Sequence, residues 1–180
     1  MAPVLVSDEN MGAIYRVSCK HQAVVTSNHT SKERDMGKLR HIAIAVPNID
    51  EAAKFYEQAF GMKRVRQSTS SILLSDDVIS LAILDNRQSH EALGHTGLHH
   101  FGVIADSVDE TAAIAEAHGA VYADKEENVA KRFANRGQMK DGELTAEAKQ
   151  QEQRKYVDAN GIKFDIVNDL HARNSWKLPV

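Results

Sequence analysis

The sequence predicts a mixed α+β domain built on an internal duplication. Three observations predict it: a strand pattern followed by a capped helix pattern, the recurrence of this pair, and short strand patterns after the helices. The two copies are HIAIAVPNIDE, from His41, and HFGVIADSVDE, from His100, at an offset of 59 residues. A repeat of this kind indicates two similar structural units in one chain.

The first copy opens with a predicted strand over residues 39–46, LRHIAIAV, which Pro47 ends because proline has no backbone N–H for the ladder. Asn48 then predicts a helix N-cap. Apolar residues recur at spacings of three and four until Gly61, which predicts the C-cap. Short strands follow near 62–68, 71–75 and 78–84.

The second copy predicts a strand from His100, a helix that closes at Gly119 and a final strand, Lys163 to Val167. We align this final strand with the last strand of the first copy so that Ser80 corresponds to Asp165. The units occupy about 38–90 and 97–170, and residues 123–152 form a charged insertion within the second. Residues 1–36 lack sustained periodicity and predict a flexible N-terminal arm, or a strand added to a sheet edge, before a single domain at 37–180.

Composition restricts the partners. The 180-residue chain has 22 Lys and Arg against 25 Asp and Glu, a formal net charge of −3, so no basic excess favours nucleic acid. The longest apolar runs fall far short of the ~20 residues that cross a bilayer. One cysteine, Cys19, and no signal-peptide pattern favour the cytoplasm. We therefore expect a cytoplasmic protein that binds neither nucleic acid nor membrane.

Alternation along the strands assigns two faces to the sheet. His41 shares its face with two alanines, and His100 shares its face with Gly102, whereas the branched and aromatic residues lie opposite and predict contact with the helices. In the final strand Asp165 belongs to the face of small residues. His99 is expected on the opposite face, in packing or a surface hydrogen bond.

The face of small residues predicts a concave site that holds a metal. The duplication places His41 and His100 at equivalent positions, and Asp165 lies on the strand that closes the second unit. Two neutral imidazoles and one carboxylate suit a divalent first-row metal, most often Fe(II), and leave positions for a small-molecule substrate.

These motifs resemble the vicinal oxygen chelate superfamily of glyoxalases, bleomycin-resistance proteins and extradiol dioxygenases. The matching stretches are HIAIAVPNIDEAAKFYEQAFGMK, GLHHFGVIADSVDE and YVDANGIKFDIV. The resemblance implies two βαβββ modules that form a cupped, barrel-like mixed sheet with helices outside. It also implies a divalent metal and a homodimer.

The resemblance places the metal ligands at His41, His100 and Asp165, although the superfamily more often has Glu at the last position. Glyoxalases add a fourth ligand, Glu or Gln, where this chain has Ser80, so we assign Ser80 to the substrate pocket. Three ligands and the Leu-His-His run resemble extradiol dioxygenases, which implies Fe(II) and a catechol-like substrate. Mn, Ni and Zn are the alternative metals.

Asp77 stands about where such dioxygenases have a catalytic histidine, so we assign it a catalytic role. Tyr156 is assigned as a catalytic phenol and Lys155 as a substrate-binding group, and the strand register decides which of the two faces inward. The alternatives are a glyoxalase-like lyase or isomerase with a divalent metal, and a non-catalytic binding or resistance protein on the same fold.

Overall fold

The computed structural model of this protein describes residues 37–123, 139–140, 143–146 and 148–180. It is a mixed α+β structure with one curled, unclosed eight-stranded sheet, whose strand order is β2-β3-β4-β1-β5-β10-β9-β6. The strands of the first unit are β1 Lys38–Val46, β2 Lys63–Gln67, β3 Ser71–Ser75 and β4 Ser80–Asp85. Those of the second are β5 Gly97–Ile104, β6 Val121–Tyr122, β9 Gln153–Val157 and β10 Lys163–Val167.

The duplication is evident in the strand pairing. The units are β1-α1-β2-β3-β4 and β5-α2-β6-β9-β10, with α1 at Ile49–Phe60 and α2 at Val108–Ala117. In each unit the first and last strands pair in parallel, β1 with β4 and β5 with β10. The units meet where β1 and β5 pair antiparallel. The predicted fold, two βαβββ modules in one cupped sheet, is confirmed.

The helices begin and end at residues that the sequence identifies. The Asn48 side chain accepts a hydrogen bond from the Glu51 backbone N–H, and Ser107 does the same for Glu110 at the start of α2. Gly61 closes α1 with φ of 68°, a left-handed conformation that costs glycine little. Each N-cap side chain typically contributes about 1 kcal/mol.

The branched face of the sheet packs under the helices as predicted. Under α1 a core forms around Ala53, Ile72, Leu74 and Ile83, with Ile42 and Ile44 against it. Under α2 the core contains Val108, Ala112, Tyr156 and Ile166. The other face carries Ala43 and Ala45, which are fully buried, so this concave side is covered.

The C-terminal segment, residues 168–180, lies on the concave face. It consists of a helical turn at Asp169–His171, a π-helical turn at Ala172–Trp176 and four further residues. Three of its side chains, from Ala172, Trp176 and Leu178, form a buried cluster with Ile104 and Val167 of the sheet.

The described part of the insertion predicted at 123–152 includes a hairpin, β7 Met139–Lys140 with β8 Glu143–Leu144, and a 3₁₀ turn at Ala148–Gln150. The predicted arm at 1–36 lies outside the described residues, so its flexibility stays a prediction. Within the described ranges, no helix has the length and apolar character to cross a membrane.

Candidate functional site

Three neighbouring strands bring His41, His100 and Asp165 together on the concave face. β1, β5 and β10 lie side by side, and Gly102 is the strand partner of both His41 and Asp165. The imidazole centroids of the two histidines are 5.3 Å apart, and His100 Nε2 lies 3.6 Å from Asp165 Oδ2. Exposure is 4% for His41, 6% for His100 and 2% for Asp165. We call these three residues the triad; the structure places them in one cluster, and their role as ligands stays a prediction.

Burial fixes the protonation of the triad. Desolvation lowers the pKa of His41 well below its ordinary value and that of His100 to about 4, so both rings are neutral at neutral pH. Burial alone would raise the pKa of Asp165, but the charge and the hydrogen bond of Lys155, together with the two histidines, outweigh it and hold this pKa below the usual range. The triad therefore offers two neutral imidazoles and one carboxylate.

A hydrogen-bonded chain sets the tautomer of His100. His99 Nε2 lies 2.7 Å from the carbonyl oxygen of Glu91, and since a carbonyl only accepts, this nitrogen carries the proton. Desolvation lowers the pKa of His99, so its ring is neutral and its Nδ1 accepts. His100 Nδ1, 2.7 Å away, must then donate. His100 Nε2 consequently presents a lone pair towards the Asp165 carboxylate.

The position of His99 corrects the expectation that it packs on the opposite face. The pairing of β1 with β5 shifts register after Ala43, whose partner is His100, to Ile44, whose partner is Leu98. His99 is the extra residue of this β-bulge, and bulges redirect side chains out of strict alternation. Sequence alternation alone gives no signal for a bulge at this position.

On the other side of the triad, His41 Nδ1 lies 3.3 Å from the Ser80 hydroxyl, which is fully buried. Ligating histidines commonly use their second nitrogen in this way, which fixes the ring orientation. Ser80 therefore does reach the site, as the hydrogen-bond partner of His41.

The pairing corrects the alignment of Ser80 with Asp165. Asp165 is the partner of Gly102, the repeat equivalent of Gly102 is Ala43, and Ala43 pairs with Ala82. The position equivalent to Asp165 is therefore Ala82, two residues beyond Ser80 on the same face. An error of two residues was invisible in the sequence because it preserves the alternation.

Lys155 neutralises the carboxylate of the triad. It is the strand partner of Asp165, and its Nζ lies 3.0 Å from Oδ1 and 3.2 Å from Oδ2. Gln153 Nε2 donates to Oδ2 at 2.7 Å. The Lys155 side chain is 20% exposed, so part of it reaches solvent, while its ammonium contacts the buried carboxylate. The register thus selects Lys155, of the two candidates on β9, as the residue that faces the triad.

Tyr156 and Asp77 lie elsewhere, which corrects their assignment to the site. Tyr156 points to the helix face, where its hydroxyl donates to Glu116 Oε1 at 2.7 Å and its ring stacks on Phe164. The reason is alternation, since Lys155 takes the inward position. Asp77 lies in the exposed turn between β3 and β4 and pairs with Lys63. Its side chain is 63% exposed, unlike the buried triad.

The chemical types of the triad's donor atoms, two imidazole nitrogens and a carboxylate, suit a divalent metal. Two donors about 2.1 Å from one ion lie about 3.0–3.4 Å apart, close to the 3.6 Å between His100 Nε2 and Asp165 Oδ2. Among the described residues no three such donors stand at metal-binding spacing, and Lys155 and Gln153 both contact the Asp165 carboxylate. If the protein binds a divalent metal here, His41, His100 and Asp165 are the residues that would hold it.

Replacing His99 by phenylalanine is expected to weaken divalent-metal binding by about 10–100-fold, the usual effect of losing a hydrogen bond behind a ligand. Phenylalanine keeps an aromatic ring at the bulge but removes the nitrogen that orients His100. Titration calorimetry with Ni(II) measures the effect, and His90→Phe, at an exposed histidine, is the control. Equal affinities in His99→Phe and the wild type would refute the positioning role.

The fold and the triad define a class of protein: a duplicated, cupped α+β domain with two histidines and a carboxylate on its concave face. The model of the Glyoxalase/Bleomycin resistance protein/Dioxygenase superfamily matches residues 38–134, more than half of the chain. The chain therefore belongs to this superfamily. Divalent metals are typical of its members. No curated protein matches the chain significantly.

Solved structures of the same fold include a hypothetical protein from Bacillus halodurans, at 16% identity and a TM-score of 0.49, covering 74% of this chain and 94% of that one. A methylmalonyl-CoA epimerase in complex with methylmalonyl-CoA and NH4+ is 17% identical with a TM-score of 0.48, and the match covers 74% of this chain and 94% of that one. The methylmalonyl-CoA epimerase of Mycobacterium tuberculosis is 18% identical with a TM-score of 0.44, and the match covers 72% of this chain and 86% of that one. At these identities the likeness concerns the fold alone.

Proposed function

We propose that this protein is a metal-dependent enzyme that binds adjacent oxygens of a small substrate at the triad. The observation that carries the proposal is the convergence of two neutral imidazoles and one carboxylate on the concave face. Ring cleavage of a catechol-like substrate by an Fe(II) dioxygenase is the reaction that this donor set favours. When bound, the ion would supply Lewis acidity and open positions for substrate oxygens and dioxygen.

The chain's own residues prepare this site in three ways. His99 and Ser80 hold the two imidazoles by their Nδ1 atoms, which leaves Nε2 of each ring as the candidate metal donor. Gly102, the strand partner of both His41 and Asp165, brings no side chain between them. Lys155 is the charged group at the outer side of the triad and is placed to meet an anionic substrate oxygen or to supply a proton to it.

A lyase or isomerase of the glyoxalase type is the second candidate, and Lys155 is the observation that favours it. An ammonium 3.0 Å from a carboxylate is an acid–base pair that could move a proton next to a polarised carbonyl. The absence of a donor at Ala82, where the repeat equivalent of Asp165 falls, counts against a four-ligand site of that type.

Metal analysis and reconstitution test the proposal. Purified protein is loaded anaerobically with Fe(II), and dioxygen uptake is followed with a panel of catechols; Ni(II)- or Zn(II)-loaded protein is assayed for solvent-deuterium exchange next to a carbonyl. Iron at about one equivalent with catechol-dependent uptake supports the dioxygenase. Exchange without uptake supports the lyase or isomerase. Failure to retain any of these metals leaves a non-catalytic binding protein and refutes the proposal.

Replacing Ala82 by glutamate is expected to tighten Ni(II) and Zn(II) binding by about 1–3 kcal/mol, because a charged oxygen donor is added at the position equivalent to Asp165. Ala82 is half-buried and pairs with Ala43 on the concave face. The same variant should lose dioxygen-dependent turnover, because the added ligand fills an open position.

Ala82→Gln, of equal size but neutral, is the matched control for this prediction. Calorimetric titration and thermal melts with and without metal provide the measurements. A glutamate variant that melts far lower and gains no metal affinity would show that the carboxylate is buried unpaired and away from the ion. That result would contradict the assignment of Ala82 to the metal site.

A further inference from the structure

The indole of Trp176 occupies the space beside the triad. It stacks on the His41 imidazole with the ring centroids 4.6 Å apart and the planes within 5° of parallel. The side chain is 3% exposed and belongs to the buried cluster that joins the C-terminal segment to Ile104 and Val167. A ligand that approaches His41 over the face of its ring meets Trp176 first.

The sequence of the sheet is adapted to this indole. A Cβ atom built on Gly102 would lie 2.5 Å from Trp176 Cη2 and 2.6 Å from Cζ2, a distance that real Cβ atoms do not tolerate. The repeat equivalent of Gly102 is Ala43, so the first unit has a Cβ where the second does not. The absence of a side chain at Gly102 therefore provides the space that the Trp176 indole occupies.

The C-terminal segment is attached so that it can move away without breaking the sheet. None of its described residues belongs to a strand. It starts at Asn168, directly after β10, where the Asn168 side chain accepts from the backbone N–H groups of His171 and Glu152. Further on, Leu178 N donates to Ala172 O within the segment. Its contact with the concave face is side-chain packing of Trp176, Ala172 and Leu178, and Ser175 Oγ adds a buried hydrogen bond to Gln151 Oε1. Since these contacts lie outside the strand ladders, the segment can open locally while the sheet stays paired.

We propose that the C-terminal segment is a gate over the triad and that a ligand enters when Trp176 leaves the space between His41 and Gly102. This inference rests on the proposed function, since it takes the triad as the ligand site. In the structure the gate is closed, and the indole covers one face of the His41 ring, which is 4% exposed. A ring or plate-like group of the ligand would then take the position that the indole vacates.

The gate is tested without metal through the access of reagents to His41 and Trp176. Leu178→Ala shortens a buried anchor of the segment and should open it more often, whereas Leu93→Ala removes the same atoms from a side chain that is 61% exposed. Diethyl pyrocarbonate modifies neutral imidazoles, and peptide mass spectrometry gives the rate at His41, with exposed His118 as the internal reference. Because the chain has one tryptophan, acrylamide quenching of tryptophan fluorescence reports on Trp176 alone.

A gate predicts that Leu178→Ala raises both the His41 modification rate and the quenching several-fold, while Leu93→Ala and the His118 rate stay at wild-type values. Gly102→Ala should give the same result by forcing the indole out. Backbone hydrogen exchange in β1 verifies that each variant stays folded; should Gly102→Ala unfold, Leu178→Ala alone decides. Unchanged His41 modification in a folded Leu178→Ala would overturn the gate.

Stopped-flow uptake of Ni(II) alone separates this proposal from the proposed function. Faster uptake in Leu178→Ala than in Leu93→Ala supports the gate as the entry route for a ligand, and equal uptake rates overturn that route. If neither variant nor the wild type binds Ni(II), Zn(II) or Fe(II), the metal-enzyme proposal fails, and the His41 modification rates still decide whether the segment is a gate.

Discussion

Replacement of either triad histidine by phenylalanine is expected to lower affinity for Ni(II) or Fe(II) by more than the 10–100-fold typical of an outer hydrogen-bond partner. Phenylalanine lacks a donor nitrogen but keeps an aromatic ring. Keeping an aromatic ring matters at position 41, because the His41 imidazole stacks on the Trp176 indole. His41→Ala would leave a cavity next to the indole and confuse loss of packing with loss of a ligand.

Calorimetric metal titration measures the affinity, and thermal melts verify that the variants are folded. His118→Phe is the matched control, since His118 is exposed at the end of α2 and should retain wild-type affinity. Wild-type affinity in His41→Phe or in His100→Phe would remove that residue from the metal site. Loss of affinity in all three variants would indicate a nonspecific effect of losing any histidine.

Much of the fold followed from the sequence because its signals are local. The caps at Asn48 and Gly61 mark the ends of α1 within one residue of where the structure has them. The repeat of the two strands that begin with histidine can be recognised from the sequence alone. Strict alternation along the strands then places His41, His100 and Asp165 on one face. The triad was predictable because each of its members lies on a strand, and counting every second residue along a strand identifies the inward face.

The parts that escaped prediction depend on register or on distant contacts. Choosing between Lys155 and Tyr156 requires the register of β9, and one residue of slip exchanges the two faces. The bulge that turns His99 towards His100 breaks the alternation on which counting relies. Trp176 reaches His41 from 135 positions further along the chain, and no local pattern reports where such a segment docks.

In the proposed site Lys155 and a metal ion would neutralise the same carboxylate, so removing Lys155 is expected to make the stability of the protein depend on metal. Lys155→Met leaves Asp165 buried without its ion-pair partner and should lower the metal-free free energy of unfolding by about 3 kcal/mol, the lower end for a broken buried pair, since Lys155 is 20% exposed. Added Ni(II) should then raise the melting temperature of Lys155→Met more than that of the wild type.

Asp165→Asn and the double variant complete the cycle. Asp165→Asn removes the carboxylate, leaves the Lys155 ammonium without its partner and should lose both stability and metal binding. Lys155→Met/Asp165→Asn removes both charges and should recover most of the stability, because a neutral pair of similar size costs little, while metal binding stays lost. If Lys155 and Asp165 form only a structural ion pair, the double variant should recover its stability in the same way. The metal measurements therefore distinguish a structural pair from a metal site. If Ni(II) stabilises Lys155→Met no more than the wild type, Asp165 holds Lys155 alone and is not a metal ligand.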